Sequence, residues 1–303
     1  MSSLALKGPY WVTARQHRRA VWAVAVTAGL GLVSVAGLRF WDSRIPGTNQ
    51  DNGYTLLRWG MEYFAVGMVT LPLLVGVFVA GPLVARELES GTYKVALTQS
   101  VSPDRWLASK LVMAAAVTVG GTLALMAAYA LGLARVAGDW QFTWDERGTY
   151  ESTGPLLIAH GLLAIAVGAL VGQLVRRTLV AMSVTGMVMG AVLLALHALR
   201  WDFLPVRTIT GPAGPTLWVP DGGLEMDSGL ISTTGQRLPG WFCAEPLDEN
   251  GLCRSDENIA ARYIDYHPAS HFWPTHLIET GIVLALAALA LLAAFRVLRA
   301  RHP

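Results

Sequence analysis

Acidic and basic side chains are crowded into one short stretch of a chain that is otherwise poor in them. The stretch VARELESGTYKVALTQSVSPDRW covers residues 84–106, between two runs of nearly uncharged sequence. Its charged residues are Arg86, Glu87, Glu89, Lys94, Asp104 and Arg105. As a polar segment held between two apolar runs, the stretch suits docking to a soluble partner protein. The alternative interpretation is a solvated hairpin whose charges only orient the chain.

Histidine and cysteine side chains often bind metals or act as nucleophiles, but their spacing here matches neither role. His267, His271 and His276 follow one another closely without the carboxylate of an H-E-x-x-H motif. Cys243 and Cys253 have nine residues between them, which fits neither a C-x-x-C redox pair nor a zinc site. The sequence also lacks G-x-S-x-G and has no GK dipeptide for a phosphate-binding loop. These patterns disfavour an enzyme and predict no cofactor bound by this chain.

The apolar residues fall into long runs that predict membrane-spanning helices. Hydrophobic residues make up 53% of the 303 residues and charged residues 15%, against about 25% charged in a soluble domain. The runs are residues 20–38, 64–85, 111–134, 156–175, 178–199 and 277–295. A helix of about 20 residues crosses a hydrocarbon core of about 30 Å. The predicted fold class is therefore an all-α polytopic membrane protein with six transmembrane helices.

Loop charge predicts which side of the membrane each segment faces. Six spans place both termini on one side, where the segments carry 13 basic residues and 3 acids. The opposite side carries 10 basic residues and 18 acids. Because Lys and Arg near span ends favour the cytoplasm, both termini are predicted to be cytoplasmic. A single transmembrane domain over 1–303 then has a cytoplasmic N-terminal segment at 1–19, a cytoplasmic loop at 86–110 and a large external loop at 200–274. The N-terminal segment is either an amphipathic helix or a basic flank.

Two candidate functional features belong to the predicted outer side. The external loop contains Cys243 and Cys253, and an oxidising outer face favours a disulfide between them, with two unpaired thiols as the alternative. Glu279 lies inside the sixth apolar run, where an ionisable group is costly and therefore a candidate functional acid. It either pairs with another polar group or lies shallow enough to reach water at the lipid headgroups.

Small residues at four-residue spacing predict close packing of two helices. Gly168 and Gly172 lie in the fourth span, and Gly186 and Gly190 lie in the fifth. Such spacing lets helix backbones approach closely. A tight hairpin between these spans is the preferred interpretation, and a subunit interface is the alternative. Pro72, inside the second span, predicts a kink.

Turn and cap residues divide the charged stretch into ordered pieces. Gly91 suits the left-handed conformation that ends a helix. Thr92 can cap a short helix over residues 94–98. Ser102 as N-cap and Pro103 at the first helical position predict the start of the third span. The stretch is therefore predicted to be a short polar helix held between two membrane helices.

Residues 85–111, ARELESGTYKVALTQSVSPDRWLASKL, resemble the cytoplasmic loop of type-2 ABC transporter permeases. In that family an acid-rich helix end, Gly-Thr, an apolar pair, a TPVS-like segment and a Lys-Leu occur together before the third span. Residues 266–281, YHPASHFWPTHLIETG, resemble the segment ahead of the sixth helix in actinobacterial-type members. The six spans, the cytoplasmic termini and the long outer loop fit the same family.

The resemblance implies a noncatalytic permease subunit of an exporter. In that family the loop between spans two and three is a coupling helix that lies in a groove on a separate ATP-hydrolysing subunit. The implied docking residues are Arg86, Glu87, Glu89, Gly91, Thr92 and Lys94, with the two glutamates as the main candidates. The implied partners are two ABC ATP-binding subunits, which use ATP and Mg²⁺, and a second identical or homologous permease.

The family also implies a bacterial plasma membrane and a substrate path between the paired permeases. A hydrophobic or amphipathic drug, peptide or lipid fits such a path, as in multidrug efflux, and no nucleic-acid partner is expected. An intramembrane protease or lipid-modifying transferase is the alternative from another class, and it lacks paired catalytic residues at matching depth. An ion-gradient transporter is a third class, disfavoured because five of the apolar runs carry no formal charge.

Overall fold

The helices and the strands belong to two compact units. The structure, a computed structural model, describes residues 18–44, 53–94, 102–213, 216–220, 222–239 and 259–301. Leu199–Thr275 forms one unit, and the chain on either side of it forms the other, here called the helical unit. The predicted N-terminal amphipathic segment, apart from residues 18 and 19, and both cysteines lie outside the described residues.

Most of the spanning helices continue beyond the ends of the apolar runs that the sequence predicts. The helices are α1 (Arg18–Arg44), α2 (Gly53–Leu74), α3 (Gly81–Ser90), α4 (Pro103–Val136), α5 (Thr149–Ser152), α6 (Leu156–Val175), α7 (Thr178–Leu199) and α8 (Phe272–Arg301). Within the described ranges, six helical segments are long and apolar enough to cross a membrane. The second of them, Gly53–Ser90, contains both α2 and α3. The six helices predicted from the sequence are therefore confirmed.

The second span changes its hydrogen-bond pattern near its middle. Between α2 and α3, Val75–Ala80 forms a π-helix. Pro72, shortly before it, has no backbone N–H to donate to the preceding turn. Wider π turns inside α-helices are frequent at functional sites. At the predicted kink, the structure thus has a local change of helix type.

Burial distinguishes one central helix from those around it. In the apolar window of α6, 72% of the residues are buried, against 22% in the fifth and sixth spans and 6% in α1. Ala169 of α6 belongs to a buried apolar cluster with Ala80, at the end of the π-helix, and Leu107 of α4. Large side chains such as Leu179 and Leu194 of α7 are exposed. Apolar surface of this kind is what a helix in contact with lipid requires.

The glycines of α6 lie against the second span. A Cβ atom added to Gly168 would be 2.5 Å from the carbonyl carbon of Ala80. One added to Gly172 would be 3.0 Å from the backbone nitrogen of Ala85. Real Cβ atoms do not approach backbone atoms as closely as the first of these distances. Residue size at position 168 therefore sets how closely α6 and the second span pack.

The glycines of α7 also have their nearest neighbours in the second span. The sequence analysis instead expects the glycines of spans four and five to pack against each other in a hairpin. A Cβ on Gly186 would be 2.7 Å from Cγ2 of Val77, and one on Gly190 would be 4.0 Å from Cδ1 of Leu73. Small-residue spacing identifies a surface that a backbone can approach, but it does not identify the partner. Here the nearest neighbours of all four glycines lie in the second span, between Leu73 and Ala85.

Residues 200–274 contain an antiparallel sheet that the sequence analysis does not predict. Its strands are β1 (Arg207–Pro212), β2 (Leu224–Ser232), β3 (Arg237–Pro239) and β4 (Ile259–His267), in the order β1-β4-β2-β3. The all-α fold class is therefore wrong for this part of the chain, and a simple external loop is not what forms there. β1 ends in Gly-Pro and β3 has three residues, and β4 pairs with strands that are distant in sequence, so the local pattern is weak.

One buried carboxylate joins three strands of the sheet. The side chain of Asp265, in β4, accepts a 2.5 Å hydrogen bond from Thr208 of β1 and a 2.5 Å bond from Arg237 of β3. Burial on its own raises the pKa of Asp265, but the bonds from Thr208 and Arg237 outweigh it and hold that pKa below its ordinary value. The guanidinium of Arg237 also lies 4.5 Å from the ring centre of Tyr263. The charged form of Asp265 therefore stabilises the sheet.

Candidate functional site at the loop end of the helical unit

The second span ends and the third begins with the caps that the sequence predicts. Ser90 is the last residue of α3, and Gly91 follows with φ 72° and ψ 2°, in the left-handed region. Ser102 is the N-cap of α4 and accepts a 3.4 Å bond from the backbone nitrogen of Arg105, while Pro103 occupies the first turn. Residues 95–101 lie outside the described ranges, so the predicted helix over 94–98 remains a prediction. We call this end of the helical unit the loop end.

Glu87 bonds to two residues of the third span. Its Oε1 lies 2.5 Å from the ammonium nitrogen of Lys110, and its Oε2 accepts a 3.1 Å bond from the indole nitrogen of Trp106. The side chain of Lys110 is 4% exposed and that of Glu87 25%. A buried ammonium group needs a charged or polar partner, since it has lost its hydration. Glu87 thus holds the end of α3 against the start of α4.

Glu89 caps the fifth span. Its Oε2 accepts a 2.9 Å bond from the backbone nitrogen of Thr178 and a 2.5 Å bond from the hydroxyl group of the same residue. Thr178 is the first residue of α7, where backbone N–H groups have no partner inside the helix and the helix dipole favours an anion. This carboxylate therefore joins the end of the second span to the start of the fifth.

The last turns of the sixth span reach the same end. Arg299 donates to both carboxylate oxygens of Asp104, at 3.2 and 3.3 Å. Arg301 donates to the backbone carbonyl of Gln173, near the end of α6. The pair of Arg299 and Asp104 is solvent-exposed, so it is worth less than about 1 kcal/mol. With the bonds of Glu87 and Glu89, these contacts connect the ends of spans two to six.

Four of the residues predicted to dock a partner are exposed at this end. They are Arg86 and Glu89 in the last turns of α3, and Thr92 and Lys94 after Gly91. The hydroxyl groups of Thr92 and Ser90 hydrogen bond to each other at 2.9 Å. Within the predicted docking set, Glu87 and Glu89 bond to other spans, and Glu89 stays exposed while it does so.

Glu279 is more deeply enclosed than the headgroup alternative expects. Its exposed fraction is 1%, and His276, Thr275 and Thr280 on the same helix are also buried. His276 accepts a 3.3 Å bond at Nε2 from the backbone nitrogen of Leu156, at the start of α6. Glu279 therefore belongs to a buried polar segment of α8 and does not reach headgroup water within this chain.

The histidines do not gather into a metal site. His267 and His271 lie 2.9 Å apart between their Nδ1 atoms, in the unit that contains the sheet, whereas His276 belongs to the helical unit. Among the described residues, no group of three or more His, Cys, Asp or Glu side chains has the geometry to hold a metal ion. The proposed disulfide between Cys243 and Cys253 involves residues outside the described ranges and stays a prediction.

Most residues of this site are visible in the sequence, but their pairing is not. Glu87, Glu89, Asp104 and Lys110 stand out as charges in or beside the quoted stretch. The sequence analysis does not predict that Thr178 is bonded to Glu89 across 89 positions. A helix that starts without a side-chain cap leaves its first backbone N–H groups without an acceptor. That missing cap is the signal that could have suggested an acceptor from a distant part of the chain.

Comparison with protein families gives one match that covers more than half of the chain. The family described as ABC-2 membrane transporter related matches residues 42–200, which run from the end of α1 through α7 and so include spans two to five with the whole loop at 86–110. A comparison with curated proteins gives no match. The family match agrees with the six apolar helices and with the resemblance seen in the charged stretch. The chain is therefore a multi-pass membrane protein that belongs to the ABC-2 membrane transporter related family.

Proposed function

We propose that the chain is the permease subunit of an ATP-driven exporter in a bacterial plasma membrane. Family membership supports a membrane permease of an ABC transporter, which associates with ABC ATP-binding subunits. In the proposed complex two such subunits hydrolyse ATP with Mg²⁺, and the permease contributes no catalytic group. A second permease, identical or homologous, completes the transport path.

The observation that carries this proposal is the set of bonds between the loop at 86–110 and other spans. Glu87 joins α3 to α4, and Glu89 joins α3 to α7. Asp104, in the first turn of α4, bonds to Arg299 of α8. A partner that grips this loop and changes shape would therefore move spans two, three, five and six together, as packed helices shift against one another.

Docking is assigned to Arg86, Thr92 and Lys94, which are exposed. Glu87 bonds to the third span through both carboxylate oxygens, and the exposed Glu89 bonds to Thr178 of the fifth span through Oε2. In this proposal the glutamates hold the loop in position, Gly91 makes the turn, and the basic side chains meet acidic groups on the ATP-binding subunit. The cytoplasmic side is proposed for this loop from the distribution of Lys and Arg.

The proposed cargo is a hydrophobic or amphipathic compound such as a drug, a peptide or a lipid. Each described span has an apolar window with at most two charged residues, and Glu279 in the sixth span is buried. A path between two such helix surfaces favours apolar molecules, because a strongly charged cargo would lose its hydration without compensation.

Charge reversal on the loop tests the docking assignment. Arg86→Glu and Lys94→Glu are each expected to weaken binding of the ATP-binding subunit by about 1 kcal/mol, or about fivefold. The measurement is the amount of ATP-binding subunit that stays with affinity-purified permease as the salt concentration is raised. Arg207→Glu, at an exposed arginine in β1, is the matched control and should retain the subunit. Full retention in both loop variants, or equal loss in the control, would reject docking at this loop.

A further inference from the structure

A small cleft at the loop end joins two arginines to a buried amide. It is lined by Leu88, Trp106, Gln173, Arg176, Leu298 and Arg301. We propose that this cleft binds the headgroup of an anionic phospholipid of the phosphatidylglycerol type, with the phosphate at the two arginines and a headgroup hydroxyl at Gln173. The inference depends on the chain being a membrane protein and not on what it transports.

The charge of the cleft selects an anion. None of the six lining residues is acidic, and the nearest acids along these helices already have cationic or N–H partners. Glu87 is paired with Lys110, and Asp104 with Arg299. A guanidinium group has five N–H donors and matches a phosphate in two-point contacts. The side chain of Arg301 uses one donor on the carbonyl of Gln173, which leaves others for a ligand.

Gln173 supplies a second, independent reason to expect a ligand. Its residue surface is 2% exposed, and its amide nitrogen donates a 3.3 Å bond to the carbonyl of Ala169. Its Oε1 atom is buried and accepts no hydrogen bond from the described part of the chain. A buried acceptor without a donor is costly. A ligand that brings both a phosphate and a hydroxyl donor satisfies the arginines and this oxygen together.

The position of the cleft favours a lipid over a soluble anion. Its polar residues lie at the ends of α6 and α8, and both helices are apolar along most of their length. Leu88 and Leu298 supply an apolar wall beside the arginines. Basic pockets between transmembrane helices suit anionic headgroups, whose acyl chains continue along the apolar helix surface.

Arg176 occupies a backbone position that limits which substitutions are informative. Among the described residues it is the non-glycine residue with a positive φ, at 56°. Asparagine tolerates this conformation better than most residues, so Arg176→Asn removes the charge without adding backbone strain. Arg177 is the next residue, is also exposed and does not line the cleft. Arg177→Asn is therefore a control with the same change of charge.

Lipid binding to the purified full chain tests the proposal. Short-chain phosphatidylglycerol should raise the thermal unfolding temperature in detergent, and Arg176→Asn should weaken its apparent affinity about fivefold, as expected for one basic residue near an anionic headgroup. Arg177→Asn should bind as the unmodified chain does. Gln173→Leu should lower the preference for phosphatidylglycerol over phosphatidic acid, because the acceptor for the headgroup hydroxyl is gone.

Four outcomes would overturn the proposal. Equal affinity in Arg176→Asn and the unmodified chain would mean that the lipid binds elsewhere. An equal effect of phosphatidylcholine would remove the requirement for an anionic headgroup. An equal effect of glycerol 3-phosphate would identify a soluble phosphate as the ligand instead of a lipid. Displacement of bound phosphatidylglycerol by an added ATP-binding subunit in the unmodified chain, but not in Arg176→Asn, would assign the cleft to that protein.

Discussion

At the scale of single residues, Glu87 carries the contact that fixes the start of the third span. Its carboxylate compensates the ammonium group of Lys110, which is 4% exposed, and also accepts from Trp106. Glu87→Gln keeps an acceptor for Trp106 and removes only the charge. Because it leaves a buried cation without its counter-ion, we expect a loss of about 2 kcal/mol in stability, below the full cost of a wholly buried pair since Glu87 is partly exposed.

A double-mutant cycle separates the charge pair from other effects of the substitution. Lys110→Met removes the cation and keeps an unbranched apolar side chain. The double variant Glu87→Gln/Lys110→Met should be more stable than Glu87→Gln alone, because no charge remains without a partner. Thermal unfolding of the purified variants in detergent measures this difference. Strictly additive losses would show that the two side chains do not stabilise each other.

The same residues show what a sequence can reveal at this scale. The caps at Gly91 and Ser102 are predictable because they depend on neighbouring positions and on local backbone geometry. The bonds from Glu87 to Lys110 and from Glu89 to Thr178 depend on how separate helices pack. Side chains of matching chemistry are abundant, so composition alone does not identify these pairs.

At the scale of elements, the contact between α6 and the second span gives a sharp prediction. Gly168→Ala places a Cβ 2.5 Å from the carbonyl carbon of Ala80, and a backbone atom cannot move aside as a side chain can. We expect a loss of about 1–3 kcal/mol in stability, the usual cost of overpacking. Thermal unfolding in detergent measures it.

Gly190→Ala is the matched control for that substitution. Its nearest neighbour would be 4.0 Å away, at ordinary contact distance. Alanine is the better helix former by about 1 kcal/mol, so this variant should be as stable as the unmodified chain or more so. If Gly168→Ala were equally well tolerated, the close approach of α6 to Ala80 would be contradicted.

The sheet gives a pH-dependent prediction. Burial opposes ionisation of Asp265, but the bonds from Thr208 and Arg237 hold its pKa below the ordinary value. The resulting stabilisation is complete above the pKa of the unfolded chain, about 3.9, and is lost as the pH falls through the lower pKa of the folded state. Amide protection in β1 and β4 should therefore decrease in acid, as measured by hydrogen exchange corrected for the intrinsic rate.

Asp265→Asn serves as the control for this pH effect. The amide cannot ionise, so the sheet should be less protected at neutral pH and should show little further loss in acid. Asp227, which accepts a 3.0 Å bond from Tyr263, stays unchanged in both proteins. If the unmodified chain and Asp265→Asn lost the same protection in acid, another group would be responsible.

Helices and strands of this chain differ in how far the sequence predicts them. Each span has an uninterrupted apolar run, and lipid admits few structures other than helices for such a run. The strands have no comparable constraint, because β2 alternates only in part and β1 ends in Gly-Pro. Their stability comes from pairing with β4 and from the bonds of Asp265, both of which involve distant segments.

At the scale of the whole molecule, the number of crossings and the distribution of charge make one joint prediction. Three spans separate the loop at residue 94 from β1 at residue 207, so these two positions must lie on opposite sides of the membrane if each span crosses once. The distribution of Lys and Arg assigns residue 94 to the cytoplasm. The number of membrane crossings between the two positions and the side on which residue 94 lies are independent of each other. One experiment can therefore contradict either of them.

Single cysteines at these two exposed positions test both parts. In a chain with Cys243→Ser and Cys253→Ser, a thiol reagent that cannot cross membranes should label Arg207→Cys in intact cells. It should label Lys94→Cys only after the cells are permeabilised. Labelling of both positions in intact cells would contradict the crossing number, because an odd number of spans cannot return the chain to the same side. Labelling of Lys94→Cys alone would keep the crossing number and reverse the orientation, and a loop outside the cell has no access to an ATP-binding subunit. The docking assignment would then fail even though the six helices remained correct.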